Sequence, residues 1–177
     1  DLRKTNSFGP QYQDLNLISL AVSGDLLYGS LVLENKIVSF NWNTGQKAGE
    51  LAVQRPAGLQ VRPDGKVVAA AGNDIIEIDR ELKQSRVLAK GVLEAPYGLA
   101  LDKAGNIYVS DQGTAMQVKV FSADGKPVRT VGKKGGRPWI GKYDPQGMLM
   151  PRGITVDAEG KLWVAEKDNS PRRVSVW

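Results

Sequence analysis

Residues Pro96 to Asp111 read PYGLALDKAGNIYVSD, and residues Pro151 to Glu166 read PRGITVDAEGKLWVAE. A chain that repeats a sixteen-residue pattern this closely is building the same unit twice. Each copy opens on Pro-x-Gly and continues with apolar residues at alternate positions (Leu99, Leu101; Ile154, Val156), the period of a strand with one face buried. Asp102 or Asp157 follows, then Gly105 or Gly160, residue types that tolerate turn backbone angles. A second apolar run comes at once, NIYVS or KLWVA, so each copy predicts a β-hairpin.

The pattern recurs more loosely upstream. PAGLQVRPDGKVVAAAG starts at Pro56 and turns at Pro63-Asp64-Gly65, and ISLAVSGDLLYGS starts at Ile18 and turns at Gly24-Asp25. The turn glycines therefore fall at 24, 65, 105 and 160, at intervals of 41, 40 and 55. A third apolar run follows each hairpin: KIVSF at 36–40, IIEI at 75–78, QVKVF at 117–121 and RVSVW at 173–177. A fourth follows in the first three units: GELAV, SRVLA and PVRTV. Four short antiparallel strands in about forty residues make the blade of a β-propeller, and no stretch shows a helical stripe. The expected fold is thus all-β, with an N-terminal segment or closing strand at 1–14 and blades at 15–53, 54–94, 95–150 and 151–177. The last blade lacks its fourth strand; a four-bladed propeller is possible, but the chain is expected to be a piece of a larger propeller or of a larger protein. An open arc leaves sheet edges and blade faces uncovered, so closure is expected from missing blades, a partner chain or residues 1–14.

The third and fourth units resemble NHL repeats, a family of β-propeller blades. The residues that carry the resemblance are Pro96, Gly98, Asp102, Gly105, Tyr108, Val109, Asp111, Val120 and Phe121 in one copy. In the other they are Pro151, Gly153, Val156, Asp157, Gly160, Val164 and Val176, with Trp163 and Trp177 in aromatic places. Glu166 departs from the usual Asp, and the Asn-His-Arg core of the family pattern is missing from both copies. The likeness covers residues 95–177 well and the rest thinly. It implies a propeller, of six blades more often than four, and leaves the chemistry open, since propellers host many functions.

Residue types exclude several chemistries. The 177 residues contain no Cys and no His, which removes disulfides, thiolate and imidazole metal sites, a Ser-His-Asp triad and a His general base from this stretch. Residues 15–33 are the most apolar stretch, but Gly24-Asp25 sits in the middle, so they read as a hairpin and no membrane span is expected.

The net charge is +5, and its distribution is more telling than its size. Arg129, Lys133, Lys134, Arg137 and Lys142 stand together without an acid, interleaved with Trp139 and Tyr143. The segment 129–150 also accounts for the long interval between the last two turn glycines. It reads as a loop joining the third blade to the fourth. A basic loop bearing aromatics suits phosphates, bases or acidic sugars. The alternative is a solvated spacer in which Trp139 packs down as the anchor. Some NHL domains bind RNA on a basic face, so the resemblance keeps nucleic acid open as a partner.

Asp111 and Glu166 end equivalent strands and could face the central channel, with Asp168 and Asn169 as further oxygen donors. Gluconolactonase-like propellers hold a divalent metal in the channel with Glu, Asp and Asn, so the resemblance leaves calcium open. The simpler reading is that these acids accept hydrogen bonds from nearby backbone N–H groups. Tyr97 and Arg152 fill the variable slot of Pro-x-Gly at the channel mouth and are the better candidates for ligand contact. Three functions follow: a non-catalytic module binding a protein, small molecule or carbohydrate on one propeller face, as part of a larger extracytoplasmic protein; a metal-dependent lactonase-like hydrolase; or an RNA or polyanion binder using the loop 129–143.

Overall fold

The structure is a computed structural model that describes residues 16–167 and 172–177; the segment 1–14, expected as a closing strand, lies outside the described residues. Among the described residues, fifteen strands form four separate antiparallel meanders. The first blade holds β1 (Leu17–Ser23), β2 (Leu26–Leu31), β3 (Lys36–Asn41) and β4 (Lys47–Ala52). The second holds β5 (Pro56–Val61), β6 (Val67–Ala71), β7 (Asp74–Ile78) and β8 (Ser85–Ala89). The third holds β9 (Pro96–Leu101), β10 (Ile107–Asp111), β11 (Gln117–Phe121) and β12 (Pro127–Val131). The fourth holds β13 (Pro151–Val156), β14 (Leu162–Glu166) and β15 (Val174–Val176). The strands pair in chain order within each blade, as short turns between antiparallel strands require.

Local chemistry sets the turns. Gly24, Gly65, Gly105 and Gly160 each link the first two strands of a blade, with φ of 61, 86, 81 and 84°, a region in which a Cβ is costly. Asp102 Oδ1 accepts from the N–H groups of Ala104 and Asn106, both at 2.9 Å, and Asp157 Oδ1 from those of Glu159 and Lys161 at 3.1 and 2.8 Å. These are the side-chain turns that Asp favours.

The cores lie between blades rather than within them. Because side chains alternate across a strand, each central strand feeds two cores. Val67 and Ala69 join Tyr28 and Ile37 of the first blade, while Val68 and Ala70 join Leu99 and Ile107 of the third. Tyr108, Val118 and Val120 likewise meet Leu162 and Val164 of the fourth blade. The first strands pack in series, β1 on β5, β5 on β9 and β9 on β13. Glycine permits this approach: a Cβ on Gly58 would lie 2.3 Å from Leu99 N, and one on Gly98 would lie 2.3 Å from the Arg152 carbonyl oxygen.

Candidate ligand site at the channel mouth

The Pro-x-Gly slots of the second, third and fourth blades bring Ala57, Tyr97 and Arg152 to the end of the inner strands opposite the turn glycines, and Ile18 near the start of β1 lies at the same end. Ile18, Ala57 and Tyr97 line a cavity of about 280 Å³ together with Arg55 and Glu94. Tyr97 and Arg152 stand 55 positions apart and meet there. The Arg152 guanidinium lies 4.6 Å from the centre of the Tyr97 ring, and its Nη1 donates to the Tyr97 hydroxyl at 3.3 Å. At this distance the cation is attracted by the ring quadrupole. Arg152 Nε is buried without a hydrogen-bond partner. An unmet donor of a charged group is costly, and an oxyanion or water that reached it would relieve that cost. The planar guanidinium fork matches carboxylate or phosphate geometry.

Asp111 and Glu166 occupy equivalent places and do the same work. Asp111 is buried and accepts from the N–H groups of Ala95, Glu94 and Gly113 at 2.7, 3.0 and 3.2 Å, and Lys119 Nζ lies 2.8 Å away. Burial pushes its pKa up, but Lys119 and the three amides outweigh burial and hold it below the ordinary value. Glu166 is buried as well. It accepts from Leu149 N–H at 2.7 Å and Arg137 Nε at 3.1 Å, and it pairs with Arg173 Nε. Each acid thus pins the segment that leads into its own blade's Pro-x-Gly. Asp168 and Asn169 lie outside the described residues. Among the described residues no three His, Cys, Asp or Glu side chains gather to hold a metal ion, and no helix is long and apolar enough to cross a membrane.

The basic loop is more structured than its sequence suggests. Its root folds back on itself through Lys133 N–H to Gln146 O (2.7 Å) and Arg137 N–H to Met148 O (3.0 Å). Arg137, Met148 and Leu149 are buried and anchor it. Trp139, the expected anchor under the spacer reading, instead stands exposed beside the almost fully exposed Ile140. The cations are also dispersed: Lys133 pairs with Asp144 at 2.7 Å, Arg137 with Glu166, and Arg129 sits 6.0 Å from the Tyr108 ring centre. Lys134 and Lys142 remain on the exposed surface.

Sequence reasoning passed over a second concavity, about 570 Å³, at the opposite end of the inner strands. Gln60, Arg62, Asp64, Asp102, Lys103 and Thr155 are among its walls. Arg62 is tied there by Nη2 to the Ala123 carbonyl at 2.6 Å and by Nε near Glu77 at 3.5 Å. Only the alignment of the repeats, which stacks residues 60–65 beside 100–105, hinted at it.

The fold is that of β-propellers. No family model matches the chain, and no curated protein matches it. Solved structures do. A chain of a nidogen–laminin complex is 20% identical, with a TM-score of 0.69 over 90% of this chain and 64% of its own length. Hydrazine synthase of Kuenenia stuttgartiensis is 19% identical, with a TM-score of 0.70 over 97% of this chain and 48% of its own. A virginiamycin B lyase from Staphylococcus aureus, solved with quinupristin, is 16% identical, with a TM-score of 0.64 over 94% of this chain and 57% of its own. The chain therefore spans roughly half to just under two thirds of the length of these solved chains. Likeness at this identity concerns the fold, and these proteins range from a protein-binding partner to enzymes.

Proposed function

We propose that this chain is a non-catalytic binding propeller of NHL type whose ligand meets the channel mouth at Tyr97 and Arg152. The observation that carries the reading is the pairing of the Arg152 guanidinium with Tyr97, whose ring also lines a cavity of about 280 Å³. The ligand class that suits it carries a carboxylate or a similar oxyanion, as an acidic peptide or an acidic sugar does. The hydrolase reading has less support. It asks Asp111 and Glu166 to ligate a metal, yet both carboxylates are already engaged by cations and backbone amides. The polyanion reading rests on the loop tip alone, because Lys133 and Arg137 are paired within the protein.

Calorimetric titration with glucuronate and with a glutamate-rich peptide tests the proposal. Binding that weakens at least tenfold in Arg152→Ala, and recovers only in part in Arg152→Lys, supports it, because lysine keeps the charge and loses the planar fork. Binding to neither ligand, or binding untouched by Arg152→Ala, overturns it.

A further inference from the structure

Strand register lines up one row of side chains across each blade, on the face that in the first three blades meets the next blade. In the first blade the row runs Ala21, Tyr28, Ser39; in the third, Ala100, Tyr108, Val120; in the fourth, Thr155, Trp163, Val176. In the second it runs Gln60, Val68, Glu77, Arg86. Three blades therefore place an aromatic ring second in the row, and the second blade places a valine there. The same blade opens its row on a glutamine, where its neighbours on either side have alanine.

The adjoining turn changes with the row. Asp102 and Asp157 open matching turns, and their Oδ2 atoms accept from the row's aromatic, the Tyr108 hydroxyl at 3.3 Å and Trp163 Nε1 at 2.7 Å. In the second blade that turn position is Arg62, whose N–H donates to the Lys66 carbonyl as Asp102 N–H donates to that of Asn106. Arg62 also takes over the missing ring's tie to the next blade. The Tyr28 hydroxyl donates to the Arg80 carbonyl of the second blade at 3.0 Å, and Arg62 Nη2 donates at 2.6 Å to the carbonyl of Ala123, which holds the same place in the third. Buried Glu77 stands where the third blade has Val120, with Arg62 Nε at 3.5 Å and Arg86 Nη2 at 2.8 Å. The seam between the second and third blades is thus tied by charged side chains where the seams beside it use tyrosine, and Gln60 and Arg62 line the concavity of about 570 Å³ at its end.

We propose that this concavity binds a neutral, hydroxyl-rich ligand, a sugar of one or two rings. Its volume lies within the range of roughly 300–1,000 Å³ typical of small-molecule sites. Arg62 and Lys103 face Asp64 and Asp102 across it, so the wall charges balance. A charged ligand would give up hydration there for little net attraction, whereas hydroxyl groups donate to the acids and accept from the bases at once. The acids are held in place for this: Asp64 Oδ1 accepts from Lys66 N–H at 3.1 Å and Asp102 Oδ1 from two turn amides, and each carboxylate keeps further lone pairs. The half-buried Gln60 amide offers both donors and an acceptor, and no hydrogen bond engages it among the described residues. Val61, Pro63 and Ala104 supply an apolar wall for the C–H face of a ring. The site shares no residue with the one at Tyr97 and Arg152.

Amide NMR of the whole chain, titrated with glucose, galactose, mannose, N-acetylglucosamine, maltose and cellobiose, tests the proposal. At least one of these sugars should shift the backbone amides of 60–65 and 100–105 saturably. Gln60→Leu, which keeps the bulk and loses the amide, should weaken that binding at least tenfold. Arg152→Ala should leave it unchanged, so failure at the Tyr97 site and failure here are told apart. No saturable shift with any of these sugars overturns the proposal, and so does a shift confined to the surroundings of Tyr97 and Arg152. Glucuronate or inorganic phosphate shifting the 60–65 and 100–105 amides at lower concentration than every neutral sugar overturns the ligand class. Binding untouched by Gln60→Leu overturns the site. If that variant does not fold, Thr155→Val, at an exposed position on the same wall, makes the same measurement with the same two outcomes.

Discussion

The third and fourth blades carry nearly the same sentence and live in different surroundings. In the third, both faces of β10 are covered; in the fourth, the face of β14 that bears Trp163 looks outward. The hairpin, its Asp-Gly turn and the acid that closes it are alike in both, so these are properties of the local sequence. Burial is a property of the neighbour. A repeat thus encodes its own blade and only half of each interface.

The acids sharpen the comparison most, because both are buried and their partners differ in access to water. Glu166→Ala removes a buried carboxylate from the Arg137 side chain, 1% exposed, and from Arg173, and frees Leu149 N–H at the root of the loop. Removing one member of such a pair costs about 3–5 kcal/mol. At about 2–4 °C per kcal/mol for a chain of this length, thermal unfolding should come roughly 10 °C earlier. Asp111→Ala should cost less, because Lys119 keeps partial access to water and also holds the Val92 carbonyl at 2.8 Å. Equal losses in the two variants would break this ranking. The pH dependence carries the same signature. The pKa of Asp111 is lowered in the folded protein, so its contribution is present above the ordinary aspartate pKa and is lost as pH falls through the folded value. Asp111→Asn should therefore flatten the acid side of the stability curve below about pH 4, read as melting temperature against pH.

Glycines at matching places give the next largest effect. Gly98→Ala forces a Cβ against the Arg152 carbonyl, a backbone atom that cannot swing aside. Overpacking of this kind costs about 1–3 kcal/mol. Gly153→Ala meets open space and has no positive φ, so it should be neutral within about 0.5 kcal/mol. Chemical denaturation of both variants checks the pair. A Gly153→Ala variant as unstable as Gly98→Ala would mean that blade 4 already has a neighbour in solution.

The sequence made the blades legible because their signals are local: turn glycines, Asx turns, period-two apolar runs and Pro-x-Gly. It also brought Tyr97 and Arg152 together, since equal slots in adjacent blades are neighbours. It hid whatever depends on distant partners. The pairing of Arg137 with Glu166, 29 positions apart, has no periodic mark. Arg137 therefore read as one more surface cation in a basic run, and Trp139, the larger apolar residue, read as the anchor. Nothing in the letters separates Tyr108, which is covered, from Trp163, which is not; only the neighbouring blade does that.

Arg137 and Trp139 are two positions apart in one loop, and the smallest effect is expected at the second. Trp139→Ser removes a ring that is already mostly in water, and Lys134→Ser and Lys142→Ser remove exposed charges, so the triple variant should melt within a degree or two of the parent. Its retention on heparin or a single-stranded polynucleotide is the informative reading. Two lysines and an indole on a projecting tip can hold a polyanion through ion release and stacking, and stacking alone is worth about 1–3 kcal/mol per base. If the parent is retained in a salt-dependent way and the triple variant is not, the tip is a second binding surface, separate from Arg152. If neither is retained, the cations at the root serve Glu166 and Asp144, and the loop's charge is architecture. The second result is expected, because Lys133 and Arg137, residues that made the run look like a polyanion site, are already paired with acids, Lys133 with Asp144 at the surface and Arg137 with Glu166 in the interior.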